Sequence, residues 1–394
     1  MPVSQSLQDT ASDLAAWRQT LHAMPELLYE VHDTAGFIAA QLRAFGCDEV
    51  ATGIGRTGVV GIAKGVGGAK GQAAGRTIAL RADMDALPIV EETGVAYASQ
   101  RPGAMHACGH DGHMAMLLGA ARELCATRRF AGTVAFVFQP AEEGGAGAKA
   151  MIDDGLLERF GIEEVYGMHN LPGLPVGTFA INPGPIMAAT DEFSIQLDGR
   201  GGHAAIPHQT RDPILAGAAL VQALQQIVSR NVDPLDSLVV SVTQFHSGFA
   251  RNVIPEGATV SGTVRSLRLE TQSFAETRIR EIAAGIASAH GLAAETIYNR
   301  NYPVTLNDAA KAAFCGDVAA EIVGEANVRR AIPPLMGGED FAFMLEQRPG
   351  AFLFIGNGPS AGLHHPRYDF CDEALSVGAS YWVELTERAL PLAA

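Results

Sequence analysis

The sequence predicts an α/β protein, in which a mixed sheet is covered by helices on both faces and a ferredoxin-like α+β domain is inserted. Three observations carry this prediction. Short continuous apolar runs alternate with helical patterns in the first part of the chain, which is typical of α/β proteins. The pattern changes between about residues 187 and 300 and resumes from about residue 308. The 394 residues also exceed what one compact core usually takes.

The elements of the main domain follow from the spacing of its apolar residues. Residues 9–46 predict two helices, because apolar side chains recur there at helical spacing. Five continuous apolar runs predict buried strands, at Val59–Ile62, Ile78–Leu80, Val134–Phe138, Val165–Met168 and Phe352–Ile355. Strands that are apolar throughout are buried on both faces, so helices are expected on each side of this sheet.

The inserted region predicts the element order βαββαβ, which is that of a ferredoxin-like unit. Its strands span residues 193–197, 238–245, 258–264 and about 296–302. The first helix begins at Asp212-Pro213, a cap residue followed by proline. Its predicted apolar side comprises Ile214, Leu215, Leu220, Leu224, Ile227 and Val228. We therefore predict one domain formed by residues 1–186 plus 302–394, and an inserted domain formed by residues 187–301.

Composition and charge exclude several classes of protein. A formal net charge of -15 argues against nucleic-acid binding, which requires a basic surface. No run of about 18 apolar residues predicts a membrane-spanning helix, and the N-terminal residues do not resemble a secretory signal. The five cysteines are scattered without CxxC spacing, so we expect no disulfide framework. These features predict a cytoplasmic protein that binds neither nucleic acid nor membrane.

Four segments rich in metal-binding side chains lie beside predicted strands or helices. They are MHACGHDGH (105–113), QPAEEGG (139–145), YGMHN (166–170) and LHHP (363–366). Each alone also fits a helix cap, a solvated loop or a structural histidine, so the prediction of a metal site rests on their joint occurrence. Ligands gather at the carboxyl ends of strands in such sheets. Imidazole, thiolate and carboxylate together suit Zn²⁺, Mn²⁺ or Co²⁺ rather than Ca²⁺.

A further strand end and one residue of these segments have alternative interpretations. The strand end RADMD (81–85) offers two carboxylates, and Asp83 could orient a metal ligand through a hydrogen bond; the alternative is a turn that begins before Pro88. Cys108 could be a thiol nucleophile next to a histidine. We favour metal binding, because a cysteine hydrolase needs neither the pair of glutamates at 142 and 143 nor two distant histidines.

Six segments resemble, in order, the motifs of the M20 metallopeptidase family. They are RADMDALP (81–88), MHACGHDGH (105–113), QPAEEGG (139–145), MHN (168–170), GGHAAIPH (201–208) and LHHP (363–366). The resemblance covers nearly the whole chain and is greatest to the aminoacylase and hippurate-hydrolase branch, which includes plant auxin-conjugate hydrolases. Arg81 and Cys108 depart from the wider family, where aminopeptidase members carry a ligand histidine and a bridging aspartate. Both departures are those of this branch.

The resemblance implies an exopeptidase-like catalytic domain with a binuclear site for Zn²⁺, Mn²⁺ or Co²⁺. The implied ligands are Cys108, which bridges the two ions, with His110, Glu143, His169 and His364. Glu142 is implied as the general base, and Asp83 as the aspartate that orients a ligand. His203, in the inserted lid domain, is implied as the donor to the carbonyl oxygen, commonly from the partner subunit of a dimer.

Three further residues are candidates for binding the substrate. Asn252 matches another family motif and would assist at the same place as His203. Arg265 could hold the substrate's α-carboxylate in a bidentate pair, and a surface position fits it equally. Gly338 lies in GGED (337–340), which precedes a predicted helix at Phe341–Leu345. Free N–H groups there could bind the same carboxylate, or the segment is simply a tight helix start.

The resemblance implies hydrolysis of the N-acyl amide bond of N-acyl-amino acids, by a metal-activated water with Glu142 as the base. A dipeptidase, a carbamoylase or a deacylase of one biosynthetic intermediate would use the same site. A non-catalytic metal-binding module is the third alternative, but the presence of Glu142 beside all five implied ligands argues against it. The resemblance also implies a homodimer, or a dimer of dimers, formed through the lid domain.

Overall fold

The computed structural model describes residues 4–66 and 75–392. Its helices are α1 (Gln5–Asp9), α2 (Ala11–Ala23), α3 (His32–Ala44), α4 (His110–Thr127), α5 (Gly147–Asp153), α6 (Leu156–Arg159), α7 (Pro213–Leu224), α8 (Leu269–Ala289), α9 (Ala309–Val323), α10 (Ala342–Gln347) and α11 (Glu373–Ala389). Short 3-10 helices lie at Pro207–Gln209 and Glu325–Asn327, and a π-helical turn lies at Ile227–Asn231. Within the described residues, none of the helices is long and apolar enough to cross a membrane.

The strands are β1 (Glu49–Ile54), β2 (Gly58–Lys64), β3 (Thr77–Asp83), β4 (Thr133–Gln139), β5 (Ile162–Leu171), β6 (Phe179–Ala180), β7 (Gly184–Met187), β8 (Ala189–Asp198), β9 (Gly202–His203), β10 (Leu238–Ser247), β11 (Val253–Ile254), β12 (Gly257–Ser266), β13 (Ala293–Tyr302), β14 (Thr305–Asn307), β15 (Val328–Arg329) and β16 (Gly350–Gly356). All five apolar runs of the main domain lie within these strands, as predicted.

The chain forms two compact units. The first unit comprises Met1–Ile186, Leu306–Pro333 and Asp340–Ala394. The second unit comprises Met187–Thr305 together with the short segment Pro334–Glu339. The second unit therefore includes a short segment that follows the inserted region by about 30 residues in the sequence.

The first unit is built on an eight-stranded mixed sheet, with the strand order β1-β2-β4-β3-β5-β16-β6-β15. Strands β4, β3, β5 and β16 are parallel, whereas β2 pairs with β4 and β1 with β2 in antiparallel fashion. Ile78 and Leu80 of β3 belong to the same buried core as Leu117 of α4 and Trp382 of α11. Phe352 of β16 packs against Phe341, which precedes α10, at a ring-centroid distance of 5.7 Å. The predicted mixed sheet with helices around it is confirmed.

The second unit is a four-stranded antiparallel sheet, with the order β10-β12-β8-β13 and helices α7 and α8. This is the strand order of a ferredoxin-like unit, so the predicted fold of the insertion is also confirmed. Leu220 and Leu224 of α7 pack with Ile279 of α8 in its core.

The predicted apolar side of α7 is wrong for three residues. Ile214, Leu215 and Val228 are 42%, 61% and 42% exposed. The buried positions are 213, 216, 217, 220, 224 and 227, which follow the helical period and form one stripe toward the sheet. Ile214 and Leu215 lie between the first two positions of that stripe, and Val228 lies one position beyond its end. These three apolar side chains therefore do not pack into the core of this unit.

Candidate metal centre

The parallel strands of the first unit bring polar side chains to one edge of the sheet. Asp83, the last residue of β3, pairs with Gln139, the last residue of β4. Arg81 pairs with Gly167 of β5, so His169, two residues further along, lies near the level of Asp83. Side chains two residues apart on a strand point to the same face, so the side chain of His169 points to the same face as that of Gly167 would. The ends of β3, β4 and β5 therefore bring their polar groups close together.

Helix α4 begins next to this edge, and its first turn requires glycine. Gly109 precedes the helix with a φ of 87°, in the left-handed region that glycine adopts without strain. A Cβ at this position would lie 2.3 Å from Nδ2 of Asn170 and 2.4 Å from the hydroxyl of Tyr368. The close approach allows the side chains of Cys108 and His110, on either side of Gly109, to reach the strand ends.

The five side chains implied as metal ligands lie in one cluster. Possible ligand atoms of Cys108, His110 and His169 lie within 4.8 Å of one another, and so do those of Cys108, Glu143 and His364. Cys108 belongs to both triads, which is the arrangement expected of a donor shared by two cations. A third group, formed by His110, Glu142 and Glu143, meets the same distance limit. Residues from positions 108 to 364 therefore converge on one place.

The two buried histidines of the cluster present the same ring nitrogen to it. His110 uses Nδ1 to bond the backbone oxygen of Asp85 at 2.8 Å, and His169 uses Nδ1 to bond the backbone oxygen of Asn170 at 2.7 Å. A carbonyl only accepts, so in each ring Nδ1 carries the hydrogen of the neutral form and Nε2 keeps its lone pair. His169 Nε2 lies 3.4 Å from Sγ of Cys108.

Two buried atoms of the cluster make no hydrogen bond among the described residues, Nε2 of His110 and Oε1 of Glu143, which lie 3.9 Å apart. Oε1 of Glu143 has a charge contact with Nε2 of His364 at 3.4 Å, but this contact lacks hydrogen-bond geometry. A buried polar atom without a partner costs about 1–3 kcal/mol. A divalent cation bound by both atoms would remove this cost, and imidazole, thiolate and carboxylate form a suitable donor set for Zn²⁺, Mn²⁺ or Co²⁺. The residues therefore fit the metals that the sequence predicts.

The electrostatic environment of the cluster also favours a cation. Burial by itself lowers the pKa of His110, but the carboxylates of Asp83, Asp85 and Glu143 outweigh burial and raise that pKa to about 10. Burial, reinforced by Glu143 and Glu142, raises the pKa of the Cys108 thiol well above its ordinary value. A nucleophilic cysteine needs the opposite shift. The thiolate of Cys108 therefore requires a neighbouring positive charge, which a bound cation would supply.

Asp83 is completely buried and is held by two donors. It accepts hydrogen bonds from Arg81 at 2.8 Å and from Nδ1 of His113 at 2.7 Å. Burial opposes its ionisation, but His110, His113 and Arg81 outweigh burial and hold the pKa of Asp83 well below its usual value. Nε2 of His113 accepts the backbone N–H of Asn170 at 3.0 Å. Both nitrogens of His113 are thus used within the protein, so His113 supports the cluster instead of donating to a metal.

His364 reaches the cluster from a strained backbone position. Its φ is 64°, which is uncommon for a residue other than glycine and is associated with functional sites. The backbone N–H of His364 donates to the oxygen of Ala107 at 2.8 Å. Its Nε2 lies 3.4 Å from Oε1 of Glu143, and this contact raises the pKa of His364. The side chain is 53% exposed, so His364 lies at the open side of the cluster.

Two residues of the site were missed by the sequence reasoning. The carboxylate of Asp85 accepts the backbone N–H groups of Glu142 and Glu143, at 2.9 Å and 3.1 Å. Burial raises the pKa of Asp85, while hydrogen bonding to His110 opposes the rise. The side chain of Asn170 donates to the backbone oxygen of Cys108 at 2.7 Å. The only sequence signal for these roles was their position, Asp85 in RADMD and Asn170 in MHN.

The four other candidates lie in the second unit, and their roles remain predictions. His203 of β9 is exposed, and its Nδ1 accepts the backbone N–H of Ala205 at 3.0 Å. Asn252 is a neighbour, because its backbone oxygen accepts the N–H of Ala204 at 3.0 Å. Arg265 donates to the backbone oxygen of Val264 at 2.9 Å. At Gly338, a Cβ would lie 2.2 Å from the methyl group of Thr190, so only glycine fits there.

Comparison with known proteins gives consistent matches along the chain. The sequence profile of peptidase family M20/M25/M40 matches residues 79–388. A hippurate hydrolase of Campylobacter jejuni is 43% identical over 390 residues, which are 99% of this chain and all of that protein. An N-acetylcysteine deacetylase of Bacillus subtilis is 40% identical over 93% of this chain and 94% of its own length. A crystal structure of a dinuclear metal-binding peptidase of the M20 family from Bacillus subtilis has a TM-score of 0.85 and 35% identity, over 98% of this chain and all of that chain.

Proposed function

The chain belongs to peptidase family M20/M25/M40, and from this premise we propose that it cleaves the N-acyl amide bond of N-acyl-amino acids at a binuclear metal centre. It is a hydrolase of carbon–nitrogen bonds in linear amides. The observation that carries the proposal is the cluster in which Glu142 and Glu143 lie with His110, their possible ligand atoms within 4.8 Å of one another. One glutamate of such a pair can hold a metal while its neighbour faces the substrate.

Five residues are proposed to hold two divalent cations, which are Zn²⁺, Mn²⁺ or Co²⁺. They are Cys108, His110, Glu143, His169 and His364. Cys108 is proposed as the shared ligand, because it belongs to both triads of possible ligand atoms. When bound, such ions polarise a carbonyl oxygen and lower the pKa of water toward neutrality.

Glu142 is proposed as the general base. It would take a proton from the attacking water and pass it to the leaving amine, the double use of one carboxylate that acid–base catalysis permits. Its side chain is largely buried, and both its own backbone N–H and that of Glu143 are anchored on Asp85. Asp83 is proposed to orient the ligand His169 through His113, since Oδ1 of Asp83 accepts from Nδ1 of His113 at 2.7 Å and Nε2 of His113 accepts the backbone N–H of Asn170, the residue after His169, at 3.0 Å.

Residues of the second unit are proposed to bind the substrate. His203 would donate a hydrogen bond to the carbonyl oxygen as negative charge develops on it. Its Nδ1 accepts a backbone N–H, so the neutral ring carries its hydrogen on Nε2, which can donate. Asn252 would assist at the same place. Arg265 and the backbone N–H of Gly338 are proposed to bind the substrate's α-carboxylate.

We further propose that the protein is a homodimer through the second unit. Strand β10 is at the edge of its sheet, and residues 243–247 of this strand are all exposed. Phe249 follows it and is 86% exposed, while Ile214 and Leu215 of α7 are exposed as well. An open edge strand with exposed large apolar residues is typical of a surface that pairs with another chain.

A substrate panel tests the proposed reaction. It comprises benzoyl-, acetyl- and indole-acetyl-amino acids, with dipeptides and N-carbamoyl-amino acids for comparison, each measured with and without a chelator. We expect hydrolysis of the N-acyl-amino acids, loss of activity with the chelator and recovery when Mn²⁺ or Zn²⁺ is returned. Activity confined to dipeptides or carbamoyl compounds would replace this reaction with one of the alternatives. No hydrolysis of any compound after metal reconstitution would contradict the proposal.

A further inference from the structure

Asp85 is a buried carboxylate whose two oxygens bind consecutive backbone amides. Oδ1 accepts the N–H of Glu142 at 2.9 Å, and Oδ2 accepts the N–H of Glu143 at 3.1 Å. Asp85 is 1% exposed, so these bonds are shielded from water. Hydrogen bonds to a charged group are stronger than those between neutral groups, and burial strengthens them further. The peptide groups that carry both glutamates are therefore fixed by one side chain.

The turn that carries the two glutamates is shaped to receive such an anion. Ala141, the residue before them, has a φ of 54° in the left-handed region. Successive N–H groups in a turn of this kind point into one concavity, which binds anions. The turn is closed by a hydrogen bond from the N–H of Gly144 to the oxygen of Glu142, at 2.7 Å. In this protein the anion in the concavity is the carboxylate of Asp85.

Asp85 also determines which nitrogen of His110 is free. Its backbone oxygen accepts the hydrogen of Nδ1 at 2.8 Å, which leaves Nε2 directed at the cluster. The chain on either side of Asp85 is also held, because the N–H of Met84 donates to the backbone oxygen of Gln139 and the N–H of Ala86 donates to the backbone oxygen of Glu26, each at 2.8 Å. The side chain and the carbonyl of one rigidly held residue thus contact both glutamates and a histidine.

We propose that Asp85 is a positioning residue, which sets the directions of Glu142 and Glu143 relative to His110. The inference rests on the proposed function, in which Glu142 is the base and Glu143 and His110 are metal ligands. The direction of a side chain follows from its peptide planes, so a change in either plane moves the carboxylate that it carries. Asp85 touches neither substrate nor metal in this scheme and acts through the residues that do.

A purely structural role for Asp85 is the alternative, and the chain contains a matched control. Glu26 is also a buried carboxylate whose oxygens accept two consecutive backbone amides, from Asp33 at 3.3 Å and from Thr34 at 2.8 Å. Those amides belong to the start of α3 and carry none of the residues of the cluster. Glu26→Gln therefore changes a similar side-chain anchor, while the backbone oxygen of Glu26 that accepts the N–H of Ala86 stays in place, so no direct effect on the cluster is expected.

The test compares Asp85→Asn with Glu26→Gln and the wild type. The asparagine side chain has almost the same shape, but its NH₂ group cannot accept a backbone N–H. Zn²⁺ and Mn²⁺ affinities are measured by competition with a chromophoric chelator, and kcat and KM are measured at saturating metal. We expect Asp85→Asn to bind its weaker ion about 10- to 100-fold less tightly and to lose kcat by a similar factor, as supporting residues of metal sites typically do. We expect KM to stay within about threefold, because substrate contacts are unchanged.

Glu26→Gln is expected to keep wild-type metal affinity and kcat even if its melting temperature falls. If Asp85→Asn does not fold, Asp85→Ser is measured in its place, with the same loss of affinity expected. Unchanged metal affinity and kcat in a folded Asp85 variant would overturn the inference, and so would equal losses in the Glu26 variant. A wild type that binds two ions but hydrolyses no N-acyl-amino acid would instead contradict the proposed function, while the comparison of metal affinities would still test Asp85.

Discussion

Nε2 of His169 lies 3.4 Å from Sγ of Cys108, although the two residues are 61 positions apart in the chain. Metal bonds of about 2.3 Å to sulfur and 2.0–2.1 Å to nitrogen place two donors of a tetrahedral zinc about 3.6 Å apart. The observed separation is therefore close to that of two ligands of one ion. Cys108 also belongs to the triad with Glu143 and His364, so its sulfur is the atom on which both proposed ion sites depend.

Replacement of Cys108 by serine is expected to reduce the metal content. A serine hydroxyl remains protonated at neutral pH and is a poor ligand, whereas the cysteine binds as a thiolate. We expect elemental analysis to show a fall from about two ions per chain to one or fewer, with a loss of kcat/KM of about 100-fold or more. Cys315→Ser is the control, because Cys315 is another buried thiol, in α9. A Cys108→Ser protein that keeps two ions at wild-type affinity would argue against a shared thiolate.

The pH dependence of stability is expected to report on His22. Its Nδ1 lies 2.8 Å from Asp111 and its Nε2 lies 3.3 Å from Glu91. Burial by itself lowers the pKa of His22, but the two carboxylates outweigh burial and raise it from 6.5 to about 9. A raised pKa in the folded state means that the stability gained from the charged ring is complete below about pH 6.5. That stability is lost as the pH rises through about 9.

The measurement is urea unfolding of the metal-free wild type and His22→Gln at about pH 6 and about pH 9.5. We expect the wild type to exceed the variant in free energy of unfolding by more at the lower pH. His32→Gln, in which an exposed ring is replaced, should differ from the wild type by less than about 0.5 kcal/mol at both values. A difference between wild type and His22→Gln that stays constant or grows with pH would show that His22 is not held as a cation.

Self-association through the second unit is expected to depend on Phe249. We expect light scattering to give the mass of a dimer for the wild type, and the dimer dissociation constant to rise about 30-fold or more in Phe249→Asp, since loss of an aromatic anchor costs about 2 kcal/mol. Leu235→Asp is the control, because Leu235 is 96% exposed in the same unit but lies before β10. A wild type that is monomeric at micromolar concentration would exclude the proposed dimer.

The parts of the fold that could be predicted were those with a clear pattern of apolar residues. Continuous apolar runs such as Val134–Phe138 identified the central strands, since few other structures bury both faces of a short segment. Polar residues directly after these runs, such as Glu142 and His169, could be expected to meet because the carboxyl ends of parallel strands share one edge. The set of metal ligands was predicted from the ordered motifs and the family resemblance, and not from the pattern of apolar residues.

The parts that could not be predicted depend on contacts between distant segments. The role of Asp85 arises from backbone amides in a turn with Ala141 in the left-handed region, and nothing in the sequence marks alanine for that conformation. The exposure of Leu215 follows from the rotation of α7 about its axis, which the apolar composition of the helix does not determine. The segment Pro334–Glu339 joins the second unit through its contacts, although it lies well beyond the insertion in sequence.

Elemental analysis combined with turnover measurement on Glu142→Gln tests the central claim most directly. Glutamine has nearly the same shape as glutamate but cannot act as a base near neutral pH. Because Glu142 is proposed as the base and not as a ligand, we expect the variant to retain about two divalent ions per chain while kcat falls by several orders of magnitude. A variant with near-normal turnover, or a wild type that binds no divalent ions, would contradict the account.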